Sequence, residues 1–404
     1  MMLVDVDLLT PAQIQTYLND GVLVVPLLSA VELQEAQCGL VDTLKEEYGV
    51  DVGDLEGTGR GLMAASSTNG AGGVLDIFYP QWKMKIATNE KLFCMTCQLW
   101  KEAYCHDGEK LEDMLPGTEQ DADNSFKWHP YGSFDCNRGH LYIDRIGFRL
   151  PSKIAEQIGE EVVKEQPSEA GKKYRSRPIQ RSLTPHFDCC PETYHDIANK
   201  SKWRPIQCFV SLTDNLHPNT GGFEAALGFH REFRSWTQNG RRNKVQSSQQ
   251  SPHPRPCVGE YTHINPSHDR EIMYRVQHVP VEAGCAVFWD NRIPHGNAYR
   301  NYPIDCNPDI LNKVDCSDLT VLLQRSGARA VVYCSFLPDV DINRSFVEKQ
   351  LVDWKLGRAP RVGDRWIKKD ETEDGDKTDA VASGNTVDSL SDLGRKLLGL
   401  DEWP

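Results

Sequence analysis

The sequence predicts a mainly β protein with flanking helices and a double-stranded β-helix (jelly-roll, cupin-like) core. Three observations predict it. From about residue 140 the chain falls into short β-branched and aromatic runs separated by Gly, Pro and Asn, the texture of barrels and jelly rolls. Before about residue 136 apolar residues recur at helical spacing instead. A His-x-Asp pair and a distant strand-terminal His both fall in the β region.

The elements follow in order. Residues 10–19 read as a capped helix: Thr10 is the N-cap, Pro11 takes the first helical position and Gln13 sits at capping-box spacing. Asp20-Gly21 turns into the apolar strand-like run from Val22. Residues 29–48 return to helical spacing. The glycine-rich stretch 57–73 lacks the Gly-Lys-Ser/Thr ending of a phosphate loop and reads as a flexible loop over the site. Residues 88–105 form a helix in which Cys94 and Cys97 are buried thiols, since one CxxC without a second pair makes a poor zinc site. The polar stretch 106–126 reads as loop. LYIDRIGFRLP, RPIQCFVSLTD, GGFEAAL, YRVQHVPV, GCAVFWD and ARAVVYCSF are strands, and 234–270 is a long polar insertion between them.

Length alone suits two or three domains, but this pattern reads as one domain over 1–367, with a helical part to about 135 and a β core over about 136–340. Residues 370–379 hold six acidic residues and one lysine, so 368–389 is expected to be a disordered acidic tail. An amphipathic piece at 390–404 follows, and the sequence leaves open whether it docks. The formal charge of -13 argues against nucleic acid and anionic membrane surfaces as partners; the expected partner is a small-molecule substrate. No apolar run approaches the length of a membrane span, and the N-terminus lacks a secretory pattern. With an odd 13 cysteines, the expectation is a reduced, cytoplasmic protein, a monomer or a dimer.

The chemistry concentrates at Thr184-Pro185-His186-Phe187-Asp188. Two residues apart on a strand, His186 and Asp188 point to one face and can chelate one cation. Pro294-His295-Gly296, at the end of a buried strand, supplies a third ligand. Two histidines and one carboxylate leave three adjacent positions open on an octahedral ion, the arrangement of non-haem Fe(II) oxygenases. Those positions call for O2 and a co-substrate such as 2-oxoglutarate, whose distal carboxylate needs a fixed arginine fork. Arg329, opening the strand Arg-Ala-Val-Val-Tyr, is the favoured candidate and Arg300 the alternative. Gln207 and Thr184 are further cofactor-binding candidates.

On these residues the chain resembles the phytanoyl-CoA dioxygenase (PhyH)-like family of Fe(II)/2-oxoglutarate oxygenases. Leu9–Gln13 with Asp20–Val25 resembles the family's N-terminal helix and strand. His186-Phe187-Asp188 matches its HxD, and Asn219–Glu224 through Gly228-Phe229-His230 resembles its NGG turn and following strand. Pro294-His295-Gly296 matches its distal histidine and Arg329 its 2-oxoglutarate arginine. The resemblance covers roughly residues 9–340. Leu227 replaces a family proline, 301–325 reads as an insertion before Arg329, and Cys189-Cys190 are expected to pack behind the site. His230 is expected to support the barrel.

The resemblance implies an enzyme that oxidises an unactivated C–H bond of a small organic substrate, most simply by hydroxylation, with release of succinate and CO2. Oxidative cyclisation or desaturation, for example of an amino-acid-derived substrate, uses the same cofactors. A non-catalytic β-helix binding protein and a zinc hydrolase are the competing classes. For the substrate, Arg145 and Arg149, read as sharing one strand face, and Trp203 are the candidate contacts. The basic run Lys172–Arg181 is a second candidate for attracting an anion.

Overall fold

Alternation along the central strands decides the layers. In the computed structural model, which describes residues 8–104, 125–165, 177–194, 196–237, 261–267, 269–302, 319–360 and 390–404, the described strands are, in chain order, β1 (Val22–Pro26), β2 (Val74–Leu75), β3 (Gly139–Tyr142), β4 (Ile146–Arg149), β5 (His186–Phe187), β6 (Ile206–Ser211), β7 (Phe223–Ala226), β8 (Thr262–His263), β9 (Val276–His278), β10 (Cys285–Asp290), β11 (His295–Asn297), β12 (Arg329–Tyr333) and β13 (Ser335–Pro338). A six-stranded sheet runs β1-β10-β6-β12-β4-β2, and a five-stranded sheet runs β8-β5-β11-β7-β9. A small β13-β3 pair completes the set, and the strand pairings in all three are antiparallel.

One face of the larger sheet packs on helices. Cys208 and Val210 of β6, Ala286 and Phe288 of β10, and Ala330 and Val332 of β12 join Leu40, Leu44, Met84, Leu92 and Phe93 in one core. The residues between them turn the other way. Phe209, Val287, Trp289 and Val331 meet Phe187, Phe223 and Ala225 of the smaller sheet in a second core. This two-residue period is what the pleat imposes. It puts Gln207, Phe209, Trp289 and Arg329 on the face that lines the space between the sheets.

The helices are where their caps put them. Thr10 and Ser29 each close a capping box, with Gln13 and with Glu32, at the heads of the helices Pro11–Asp20 and Ala30–Tyr48. Helix Glu90–Ala103 is buried from Leu92 to Trp100, Cys94 and Cys97 included. The glycine-rich stretch departs from the loop expected of it. Leu55–Thr58 is helical, capped by the Asp54 side chain, and Gly59–Met63 continues as a 3-10 turn. Glycines suit this region because backbones come close: a Cβ on Gly70 would lie 1.9 Å from the Ile179 carbonyl oxygen, and Gly70 has φ +74°.

The C-terminal piece docks on the body. Leu393 and Leu397 are buried, Trp403 donates to the Gly139 carbonyl at 2.9 Å, and its ring stacks on Phe93 at 5.7 Å. The acidic tail, most of the polar insertion, and Lys172, Lys173 and Arg175 of the basic run lie outside the described residues. Among the described residues no helix is long and apolar enough to cross a membrane.

Candidate metal centre

His186 and His295 are register partners across the antiparallel β5–β11 pair, with ring centroids 4.5 Å apart. Asp188, just past the end of β5, reaches both. Its Oδ1 is 3.4 Å from His186 Nε2, and its Oδ2 is 3.5 Å from His295 Nε2. One ligand atom from each of the three lies within 4.8 Å of the others, close enough to share one ion.

The backbone fixes which nitrogen faces that point. His186 Nδ1 donates to its own loop at the Thr184 carbonyl, 2.8 Å away, and His295 Nδ1 donates to the Ile293 carbonyl at 2.9 Å. A carbonyl only accepts, so both Nδ1 atoms carry the proton and both Nε2 atoms present a lone pair. Burial, with His186 alongside, lowers the pKa of His295 and favours the neutral ring that a metal needs. Burial pushes the Asp188 carboxyl upward, but hydrogen bonding and charge from His186 and then His295 outweigh it and hold the group well below the carboxylate range.

Packing holds the triad in place. Tyr261 stacks on His186 at 4.9 Å, and Trp289 lies 5.2 Å from the His295 ring. Gly296 follows His295 because the strand passes so close to 183–185 that a Cβ there would lie 2.6 Å from the Leu183 carbonyl oxygen. Cys189 packs behind the site, its thiol 3.5 Å from the Asn291 carbonyl. His230 supports a turn: its Nε2 donates to the Leu18 carbonyl at 3.1 Å.

The triad opens into a cavity of about 510 Å³ between the sheets. Arg329 lines it from β12, 1 % exposed, and among the described residues none of its three guanidinium nitrogens has a hydrogen-bond partner. Gln207 and Trp289, directly opposite each other on β6 and β10, line the same cavity, and Gln207 Nε2 and Trp289 Nε1 are likewise buried and unpartnered. These donors need an acceptor that the described residues do not supply.

The other sequence candidates divide. Thr184 and Arg145 line the cavity, with Arg145 Nε also held 2.7 Å from Asp76 Oδ1. Arg149 does not line it: its guanidinium donates to the Ala298 and Tyr299 carbonyls, tying β4 to the chain after β11. The expected shared strand face fails because Arg145 precedes β4 and only Arg149 lies on it. Arg300 is exposed over the rings of Tyr299 and Tyr302, away from the cavity. Trp203 is buried among Tyr104, His129, Tyr131 and Phe134 and does not line it either. Sequence reasoning missed Tyr142, Lys202, Arg204, Tyr261 and Trp289, all of which line the cavity.

Facing antiparallel sheets with a His-Asp-His set lining an inner cavity define a β-sheet protein with a candidate mononuclear metal centre. Comparisons with solved structures agree on the fold. The chain is similar to the hypothetical protein JW0805 of Escherichia coli, at 14 % identity and TM-score 0.60, over 97 % of this chain and 82 % of that one. It is similar to GlcNAc Inducible Gene 2, GIG2 (DUF1479), of Candida albicans, at 13 % identity and TM-score 0.60, over 98 % of this chain and 77 % of that one. At such identities the likeness is one of fold alone. A weaker likeness is to EctD of S. alaskensis with bound Fe, at 12 % identity over 83 % of this chain and 81 % of that one, and its TM-score of 0.40 is too low to bear on this chain. No family model matches the chain, and no curated protein matches it.

Proposed function

We propose that this chain is a non-haem Fe(II)- and 2-oxoglutarate-dependent dioxygenase of the PhyH-like group, acting on a small organic molecule. In this reading the two sheets are the halves of a double-stranded β-helix, and His186, Asp188 and His295 hold the iron. The protein works as a monomer or dimer in a reducing, cytoplasmic setting, which suits its described cysteines, all free thiols.

The observation that carries the reading is Arg329. A guanidinium that is 1 % exposed, lines the triad's cavity and has no partner on any nitrogen among the described residues is a site for an anion. The distal carboxylate of 2-oxoglutarate matches its planar fork. Gln207 and Trp289 offer two more donors to the same ligand, while Thr184 steadies the wall through its contact with the His263 ring at 3.3 Å.

Iron and 2-oxoglutarate, held there, would supply an O2-dependent oxidation that yields succinate, CO2 and a hydroxylated substrate, one atom of O2 in each of succinate and product. The chain's part is to place the substrate and keep water out. Tyr261, Trp289 and Phe223 form the dry wall around the histidines. A lone Zn(II) hydrolase site would leave the buried Arg329 without a task.

Anaerobic titration of the purified protein with Fe(II) and 2-oxoglutarate tests this. The reading requires a weak visible charge-transfer band that neither component gives alone, and a protein that binds iron without developing that band is not this enzyme.

A further inference from the structure

The strands that carry the triad are short. β5 has two residues and β11 three, and a single register pair, His186 with His295, joins them. A metal needs its ligand atoms held to within about 0.5 Å. The ladder places the backbone of His295 but does not set the angle of its ring. That angle follows the Ile293 carbonyl, to which His295 Nδ1 donates at 2.9 Å. The turn 290–294 therefore decides where His295 Nε2 points.

A buried ion pair builds this turn. Asp290 closes β10 at 1 % exposure, and Arg292, at 3 %, folds back on it. Arg292 Nε donates to Asp290 Oδ1 at 2.8 Å, and Nη2 donates to Oδ2 at 2.6 Å. The Arg292 backbone N–H also donates to Oδ1, and the Ile293 N–H donates to the Asp290 carbonyl, both at 2.9 Å. The pair is anchored outside the turn as well. Arg292 Nη1 donates to the Phe126 carbonyl, and Tyr104, at the end of helix Glu90–Ala103, donates to Asp290 Oδ2 at 2.8 Å. Between the two charged residues, Asn291 accepts from the Tyr194 hydroxyl at 3.0 Å through its side chain and from the Cys189 thiol at 3.5 Å through its carbonyl. Cys189 directly follows the ligand Asp188, so the one turn touches both arms of the triad.

Burial pushes the Asp290 carboxyl upward, and the charge and hydrogen bonds of Arg292 outweigh it and hold the group ionised. Taking both charges out of water costs free energy that their attraction roughly returns, and an apolar pair of similar volume serves a core as well or better. What an apolar pair lacks is direction: a bidentate fork fixes a turn where packing alone does not. We propose that Asp290 and Arg292 are positioning residues for the metal centre: their ion pair holds the Ile293 carbonyl and through it aims His295 Nε2 at the ion. This rests on the reading of His186, Asp188 and His295 as the iron ligands. Neither Asp290 nor Arg292 lines the cavity, so both act only through the turn.

The test titrates full-length protein with Co(II) alone, whose visible ligand-field spectrum reports ligand geometry. Asp290→Leu combined with Arg292→Met removes both charges together, so neither is left buried without its partner. The Tyr104 hydroxyl keeps the Pro205 carbonyl, 3.0 Å away, as an acceptor. The urea midpoint of this double variant is expected at or above that of the wild type. Its Co(II) affinity is expected to fall about tenfold or more, with an altered spectrum. Arg292→Lys keeps the charge and loses the fork, so it should weaken Co(II) in the same direction, and it decides the matter if the double variant does not fold. Wild-type protein that binds no Co(II) overturns the reading of the triad and this inference with it. Wild-type affinity and spectrum in the folded double variant, or in Arg292→Lys where the double variant does not fold, overturn this inference alone. A loss of affinity seen only in variants with a lowered urea midpoint overturns it too.

Discussion

Arg329 on β12 and Arg149 on β4 are direct register partners, and both are buried, at 1 % and 3 % exposure. Like charges opposed across a sheet are unfavourable. Arg149 is relieved by the carbonyls of Ala298 and Tyr299, and burial, with Arg329 beside it, still pushes its pKa down to about 10. Arg329 has no such relief. The ligand-free fold therefore carries a cost that a bound carboxylate removes.

Replacing Arg329 should separate stability from binding. Arg329→Met is expected to raise the stability of ligand-free protein by about 1–3 kcal/mol, because a buried unsatisfied cation disappears. The same change should weaken 2-oxoglutarate about thirtyfold or more. Arg300→Ala, at an exposed position outside the cavity, should leave that affinity unchanged. Urea denaturation and 2-oxoglutarate titration check both arms. An Arg300→Ala protein that loses 2-oxoglutarate while Arg329→Met keeps it would reverse the assignment.

Iron content should track the triad. Asp188→Ala removes the carboxylate that bridges His186 and His295, so metal analysis after anaerobic loading should find the iron gone. Far-ultraviolet circular dichroism should be retained, because Asp188 lies outside the strand pairing. Iron also binds only the folded state, so wild-type protein at a hundredfold excess over Kd should gain about 2.7 kcal/mol and Asp188→Ala none. Equal iron in the two proteins would place the centre elsewhere.

What was legible in the sequence was local periodicity and local chemistry. HxD, PHG and the strand opening at Arg329 could each be read within a few residues, because a strand's alternation fixes which side chains share a face. The capping box at Thr10 was equally local. What stayed hidden depends on partners far away in the chain. Tyr261 lies inside the stretch 234–270 read as a polar insertion, and shows its role only by stacking on His186. Lys202 and Arg204 belong to no local motif, and their place shows only when Tyr142 is brought beside them. The place of Arg149 was misjudged for one register reason: β4 begins at Ile146, one residue after Arg145.

Gly296 should be intolerant of a side chain. Its missing Cβ would sit 2.6 Å from the Leu183 carbonyl oxygen and 3.1 Å from the Pro185 nitrogen, both backbone atoms that cannot swing away. Gly296→Ala is therefore expected to cost about 1–3 kcal/mol and to weaken iron binding, since 183–185 leads directly into His186. Thermal unfolding with metal titration measures the two effects. Full iron affinity at wild-type stability would show that the strands have room.

His230 should give the stability a pH dependence between about 6.5 and 4. Burial lowers its pKa to about 4, opposed by Asp290 and aided by Arg292, against about 6.5 in an unfolded chain. The sign follows from proton counts. Below about 6.5 the unfolded chain takes up a proton that the folded state refuses until about 4, so stability is greatest above this window and falls as the pH drops through it. The loss for this one group is about 3 kcal/mol across the window. His230→Gln, which keeps a donor for the Leu18 carbonyl, should remove that component. Urea midpoints at pH 7.5 and 4.5 for both proteins decide the matter: the wild type should lose more than the variant, and equal losses would mean that His230 is protonated in the fold.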